Sequence, residues 1–139
     1  MQYKKYYYKY IIRLDPGEEI ITSLKEFCMR EKIKLGSITG VGAVNQATLG
    51  LFDPADKKYY EKELHGNFEL APIAGNISSM QGEPYLHLHA NLGDKEQRSF
   101  SGHLNKAIVS ATCEIIVDTI EGELERQADP KIGLNLLEF

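Results

Sequence analysis

Residues 82–104 read GEPYLHLHANLGDKEQRSFSGHL. In an extended chain, alternate side chains project from the same face. Tyr85, His87, His89 and Asn91 therefore share one side, and Leu86, Leu88, Ala90 and Leu92 share the other. Strict alternation of this kind marks a strand with one buried face. The polar connection Gly93 to Arg98 folds the chain back as a hairpin, which brings Gly102-His103 beside the first two histidines. Three of the four histidines in the chain then converge. Three neutral imidazoles with an open fourth position suit a divalent ion such as zinc. His87, His89 and His103 are thus the candidate metal ligands. A His-x-His pair on a polar strand face also occurs as a solvated or hydrogen-bonded pair. The third histidine, preceded by a glycine that permits close backbone approach, favours the metal.

Upstream, Tyr6 to Leu14 carries β-forming residues and reads as an opening strand. The period then changes. Asp15-Pro16-Gly17-Glu18 offers a capping Asp, a Pro at the first helical position and a Glu three residues after the cap. Ile20, Ile21, Leu24, Phe27 and Cys28 recur at helical spacing, which predicts a helix from Asp15 to about Glu31. Lys34 to Phe52 holds four glycines among Ile38, Val41, Val44, Leu49 and Leu51, and reads as strand, turn, strand. Gly40-Val41-Gly42 is not a dinucleotide fingerprint, because Asn45 stands where the third glycine belongs. These glycines mark bulges or close packing.

Asp53-Pro54-Ala55-Asp56 is a turn, and Lys57 to Leu64 is the returning strand. His65, beside Gly66-Asn67, reads as a surface residue outside the site. Phe68 to Leu70 and Gly75 to Met80 read as two short strands separated by Pro72. Past the histidine stretch, Ala107 to Val117 has Ala107, Val109, Ala111, Cys113, Ile115 and Val117 on one face, with Ser110, Thr112 and Glu114 on the other. It should be central. A polar break from Glu121 to Lys131 precedes Gly133 to Leu137, a last strand. One helix against seven or eight mostly short strands predicts an α+β, sandwich-like domain on an antiparallel or mixed sheet.

Composition bounds the function. At 139 residues the chain fits a single domain, 1–139, with 42% hydrophobic and 26% charged residues, which argues against disorder. No apolar run is long enough to cross a membrane, and the N-terminus lacks a signal-peptide core, so a cytoplasmic location is expected. Cys28 and Cys113 lie in apolar-periodic segments and read as free core thiols. A net charge of -4 gives no general affinity for nucleic-acid phosphates. Only Lys4, Lys5, Lys9 and Arg13, interleaved with tyrosines that could stack on bases, offer a local patch. A strand with solvated lysines is the alternative reading of that patch, and the favoured one.

Taken together these segments resemble the plant and prokaryote conserved (PPC) domain family. The resemblance rests on Arg13, Gly17-Glu18, Thr39-Gly40-Val41-Gly42-Ala43, Gly75-Asn76-Ile77, Gly82-x-Pro84-x-Leu86-His87-Leu88-His89, Gly102-His103-Leu104 and Arg126-x-x-Asp129. Ser101 departs from the family pattern, which has a second glycine there. The resemblance implies an α/β sandwich-like homotrimer in which His87, His89 and His103 match zinc-binding residues of some prokaryotic members. It also implies a DNA association, because plant members join this domain to AT-hooks; the Arg-Gly-Arg-Pro core of an AT-hook is absent here. The fold further resembles acetolactate decarboxylase, which holds a zinc with three histidines.

Three functions therefore compete on these residues. One is a homotrimeric zinc-binding module with a binding or regulatory role. Another is a zinc-dependent lyase or hydrolase acting on a small carbonyl or carboxylate compound, with Glu83, Asp94 or Glu114 as candidate general bases. The third is a DNA-binding protein. Glu114, on the polar side of an apolar strand, is also the candidate partner that orients a ligand histidine.

Overall fold

The computed structural model describes residues 1–139. It is an α+β fold with mostly antiparallel pairing and a single helix. Strands β1 (Gln2–Tyr6), β2 (Lys9–Leu14), β3 (Gly36–Asp53), β4 (Lys58–Met80), β5 (Glu83–Gly93) and β6 (Ser99–Thr119) form a six-stranded sheet in the order β1-β2-β6-β3-β4-β5. Because β5 pairs with β6 as well as with β4, strands β6, β3, β4 and β5 close into a ring. A separate hairpin of β7 (Arg126–Asp129) and β8 (Leu134–Leu137) follows. No helix is long and apolar enough to cross a membrane.

Helix α1 spans Ile20–Glu31 and packs against β5 and β6. It buries Ile20, Leu24, Phe27 and Cys28, as the helical spacing predicts. Each large apolar side chain removed from water contributes about 1.5–3 kcal/mol. The helix starts later than expected. Glu18 does accept the Asp15 N–H at 2.7 Å, half of a capping box. However, Gly17 takes φ +88°, and the Gly17 and Glu18 backbone pairs with Val109 of β6 instead of winding. The true cap is Glu19, whose carboxylate accepts from the Ile21 and Thr22 N–H groups and also from Ala107 N–H of β6. One side chain thus both starts the helix and fastens it to the sheet.

Several strands are longer than their sequences imply. The opening strand is a hairpin, with Tyr7 at φ +54° in the turn between β1 and β2. The expected strand-turn-strand of residues 34–52 is one strand, β3, whose register shifts at Gly40/Gly42 and Val44/Gln46. A Cβ at Gly42 would lie 2.5 Å from the Thr112 carbonyl oxygen, so the glycines do serve close packing. The three short segments from Lys57 to Met80 are likewise one strand, with Pro72 absorbed where the β4 register shifts between Leu70 and Ile73. Between Ala107 and Val117 only Ala111 breaks the alternation of β6: it is exposed, and the register with β3 shifts beside it.

Core residues fill one cluster running from Tyr10 to Val117. Tyr3, Tyr10 and Phe27 meet edge to face or tilted at 5.0–6.1 Å, so the N-terminal tyrosines nearest the helix act as packing groups. Cys28 and Cys113 are free and buried, and burial pushes both thiols up to about 12.

Candidate metal centre

The β5–β6 hairpin forms as read. Leu86, Leu88, Ala90 and Leu92 are buried, which turns His87 and His89 to the opposite face. Asp94 organises the turn: its carboxylate accepts from the Glu96 and Arg98 N–H groups and from the Arg98 guanidinium. The register that results sets His89 directly across from His103. His87 lies one alternation along β5, opposite Asn76 of β4. The three rings sit with centroids 5.3, 5.3 and 5.6 Å apart, and one nitrogen from each falls within 4.8 Å of the others.

Glycines allow this convergence. A Cβ on Gly75 would lie 1.9 Å from the His87 carbonyl oxygen, and one on Gly102 would lie 2.7 Å from the Gly50 carbonyl oxygen. A side chain at either position would push a histidine-bearing strand off its neighbour, β5 off β4 or β6 off β3. His87 and His103 are half-buried. Burial lowers the pKa of His87, helped by the Arg126 guanidinium and His89. Burial lowers His103 too, with His87 and His89 adding to the effect. Both imidazoles are therefore neutral at pH 7, the form that ligates a metal.

The triad opens into a cavity of about 710 Å³. Its other walls come from the end of β3 with Pro54 just after it, from Tyr59 and Asn105, and from the β7–β8 hairpin. Tyr59 donates to Asn105 at 2.9 Å and presents its ring edge to His103. Arg126, 8% exposed, donates to Ser78, Asn76 and the Asn135 carbonyl at 2.8–2.9 Å and stacks over the Tyr85 ring. It ties the tail hairpin to β4. Sequence reasoning placed Tyr85 on the histidine face but did not find Tyr59, Asn105 or Asn135, and met Arg126 only as part of the closing Arg-x-x-Asp motif. The tail was expected to add one strand, and it adds two.

The three candidate carboxylates do not reach the site. Glu114 is exposed beside Arg13 and Val41, on the same strand as His103 but eleven residues along it, roughly 36 Å away at the rise of a strand. It cannot orient a ligand histidine. Alternation assigns a face, not a position along it. Glu83 is exposed at the start of β5, and Asp94 is taken up by the turn. No Asp or Glu lines the cavity. His65 is exposed and 3.4 Å from Glu63, apart from the triad.

A closed β ring that brings three imidazoles together on one wall of a partly apolar cavity defines a small α+β domain whose histidine cluster could hold a metal ion. Residues 1–121 match the Plants and Prokaryotes Conserved (PCC) domain, and the chain belongs to that family. It is similar to a candidate DNA-binding protein from Bacteroides thetaiotaomicron, with 37% identity, a TM-score of 0.97 and coverage of 99% of this chain and 96% of that one. It is similar also to a metal-containing protein from Archaeoglobus fulgidus, with 32% identity, a TM-score of 0.89 and coverage of 99% and 96%. Acetolactate decarboxylase from Bacillus subtilis subspecies spizizenii shares the fold, with a TM-score of 0.60 over 84% of this chain and 54% of that one at 14% identity. The bifunctional protein GlmU of Synechococcus sp. (strain JA-3-3Ab) is 29% identical over 127 residues, 89% of this chain. The chain spans about a fifth of that relative's length, 19%.

Proposed function

We propose that this protein is a zinc-dependent binding module of the PCC family, formed by residues 1–139 as a single domain, with His87, His89 and His103 as the metal ligands. The observation that carries this reading is the convergence of three imidazoles, with nitrogens within 4.8 Å, at one wall of a cavity. The donor set fits zinc, since imidazole suits that ion and three ligands leave a position open. A bound ion would supply a Lewis-acidic centre for an oxygen donor of a small ligand. The chain's own residues would enclose that ligand: Tyr59 and Asn105 on one side, Arg126 and the tail hairpin on the other. The absence of carboxylates from the cavity lining favours binding over an acid-base reaction of the lyase or hydrolase kind.

A homotrimer belongs to the same reading. Ile11 and Ile116 are cross-strand partners, 44% and 45% exposed, and Val41 nearby is 56% exposed, an apolar strip on the sheet that a neighbouring subunit would cover. A cytoplasmic setting accords with the two free thiols. DNA enters as a partner through the description of the Bacteroides neighbour. On this chain the supporting surface is the β1–β2 hairpin, where Tyr6, Tyr7 and Tyr8 are exposed beside Lys4, Lys5 and Lys9. Salt-dependent retention of duplex DNA, lost in Lys4→Ala/Lys5→Ala, is the expected result there.

The metal reading is tested by elemental analysis of the parent, His89→Ala and His65→Ala proteins after dialysis against zinc. The parent and His65→Ala should retain one equivalent per chain, and His89→Ala should lose it. Equal zinc in all three would overturn the assignment.

A further inference from the structure

Arg126 is placed unlike any other cation in the chain. It is 8% exposed, yet its three bonds go to the Ser78 hydroxyl, the Asn76 side-chain oxygen and the Asn135 carbonyl, all neutral acceptors. No carboxylate pairs with it, although acidic residues outnumber basic ones, 20 to 16. A guanidinium has five N–H donors, so one on each terminal nitrogen remains. Among the cavity-lining residues Arg126 carries the one fixed charge. A buried cation without a counter-charge is costly unless something supplies the anion. The wall beside it is apolar, formed by Leu51, Phe52, Ile132, Leu134 and Leu136.

We propose that the cavity takes a small carboxylate with an apolar body, its carboxylate drawn to Arg126 and its body lying against the tail hairpin and the end of β3. The planar fork of an arginine matches the two oxygens of a carboxylate. The cavity volume is in the range that encloses a small organic ligand. This proposal rests on the reading of the cavity as a ligand site, but Arg126 acts through its own charge and does not require the metal. The same arginine braces β7 against β4, so the test must separate recognition from bracing.

The probes are hexanoate, hexyl phosphate, hexan-1-ol and hexylamine, titrated calorimetrically into zinc-loaded and into chelator-treated protein. Hexanoate should bind at least tenfold more tightly than hexan-1-ol in both forms, and hexylamine should not bind. Arg126→Lys keeps the charge but not the fork, and should weaken hexanoate about tenfold while leaving hexan-1-ol unchanged. Arg126→Met should abolish the preference. Should Arg126→Met not fold, the comparison of hexanoate with hexan-1-ol on the parent still decides. Preference for hexanoate in a protein that retains no zinc supports the proposal while removing the metal reading. Equal affinity for hexanoate and hexan-1-ol overturns it, as does a preference that Arg126→Lys and Arg126→Met leave intact. Tenfold tighter binding of hexyl phosphate overturns the choice of carboxylate.

Discussion

Gly75→Ala should disable the histidine cluster without touching a histidine. The added Cβ would lie 1.9 Å from the His87 carbonyl oxygen and 2.9 Å from both the His87 carbonyl carbon and the Leu88 Cα. These are backbone atoms, which cannot rotate away as a side-chain tip would. The strands β4 and β5 must therefore open by about an ångström to reach a tolerable contact, and a ladder hydrogen bond stretched by that much leaves the bonding range. Overpacking costs about 1–3 kcal/mol and each lost bond about 0.5–1.5 kcal/mol, so the substitution should destabilise the fold by about 2–5 kcal/mol. Displacing His87 by an ångström should also lower zinc affinity by at least tenfold. Gly93→Ala is the control, because nothing lies within 4 Å of a Cβ there. Urea denaturation measures the first effect and zinc titration against a competing chelator the second. A Gly75→Ala protein matching Gly93→Ala in both midpoint and affinity would refute the claim that strand spacing at Gly75 positions the triad.

Leu24 is fully buried on α1, and Leu24→Ala should cost about 2–5 kcal/mol; an unchanged denaturation midpoint would show that the helix contributes little to the core. Burial holds His87 and His103 below the ordinary imidazole range near 6.5, so protons should displace zinc only at more acidic pH than for free imidazole, which a zinc-release titration reads directly. The unfolded chain protonates those histidines first, so the metal-free protein should lose stability as pH falls below about 6.5 and level off below the folded values; a urea midpoint that rises over this window would contradict the burial of the pair. Light scattering should return about three times the 15.7 kDa chain mass, and Val41→Glu/Ile116→Glu should reduce it to one.

What could be read in the sequence was governed by local chemistry. The β5–β6 hairpin and the stripe of α1 were legible because alternation, helical spacing and the Asp94 turn act over a few residues. The helix start was not, although its signal was real: Glu18 does bond the Asp15 N–H, but Val109, some ninety residues away, captures the backbone of that turn. Glycines and Pro72 looked like breaks in β3 and β4, because bulging and breaking use the same residues, and only the partner strands decide between them. Tyr7-Tyr8 carries no turn residue at all, so nothing local announced the β1–β2 hairpin. The site divides in the same way. Its imidazoles come from one hairpin and were legible; Asn105 lies two residues from His103 on that same hairpin but carried no signal of its own, and Tyr59 and Arg126 arrive from two other strands by long-range pairing.

That division has a functional side. The residues matched to the family end at 121, and all three histidines lie within them. Arg126, Ile132, Leu134, Asn135 and Leu136, which form the facing wall of the cavity, lie beyond that limit. The histidine half of the cavity is thus built into the closed β ring, where a Cβ at Gly75 or Gly102 would collide with backbone. The facing wall is built on a hairpin of two four-residue strands held by its own contacts, by Ser79 to Leu124 and by the bonds of Arg126 to β4. Changes in such a hairpin alter the cavity without disturbing the core, since its strands pair only with each other. On the reading proposed above the ring would hold the ion and the tail hairpin would meet the ligand, and Arg126, which both anchors the tail and charges the cavity, joins the two halves.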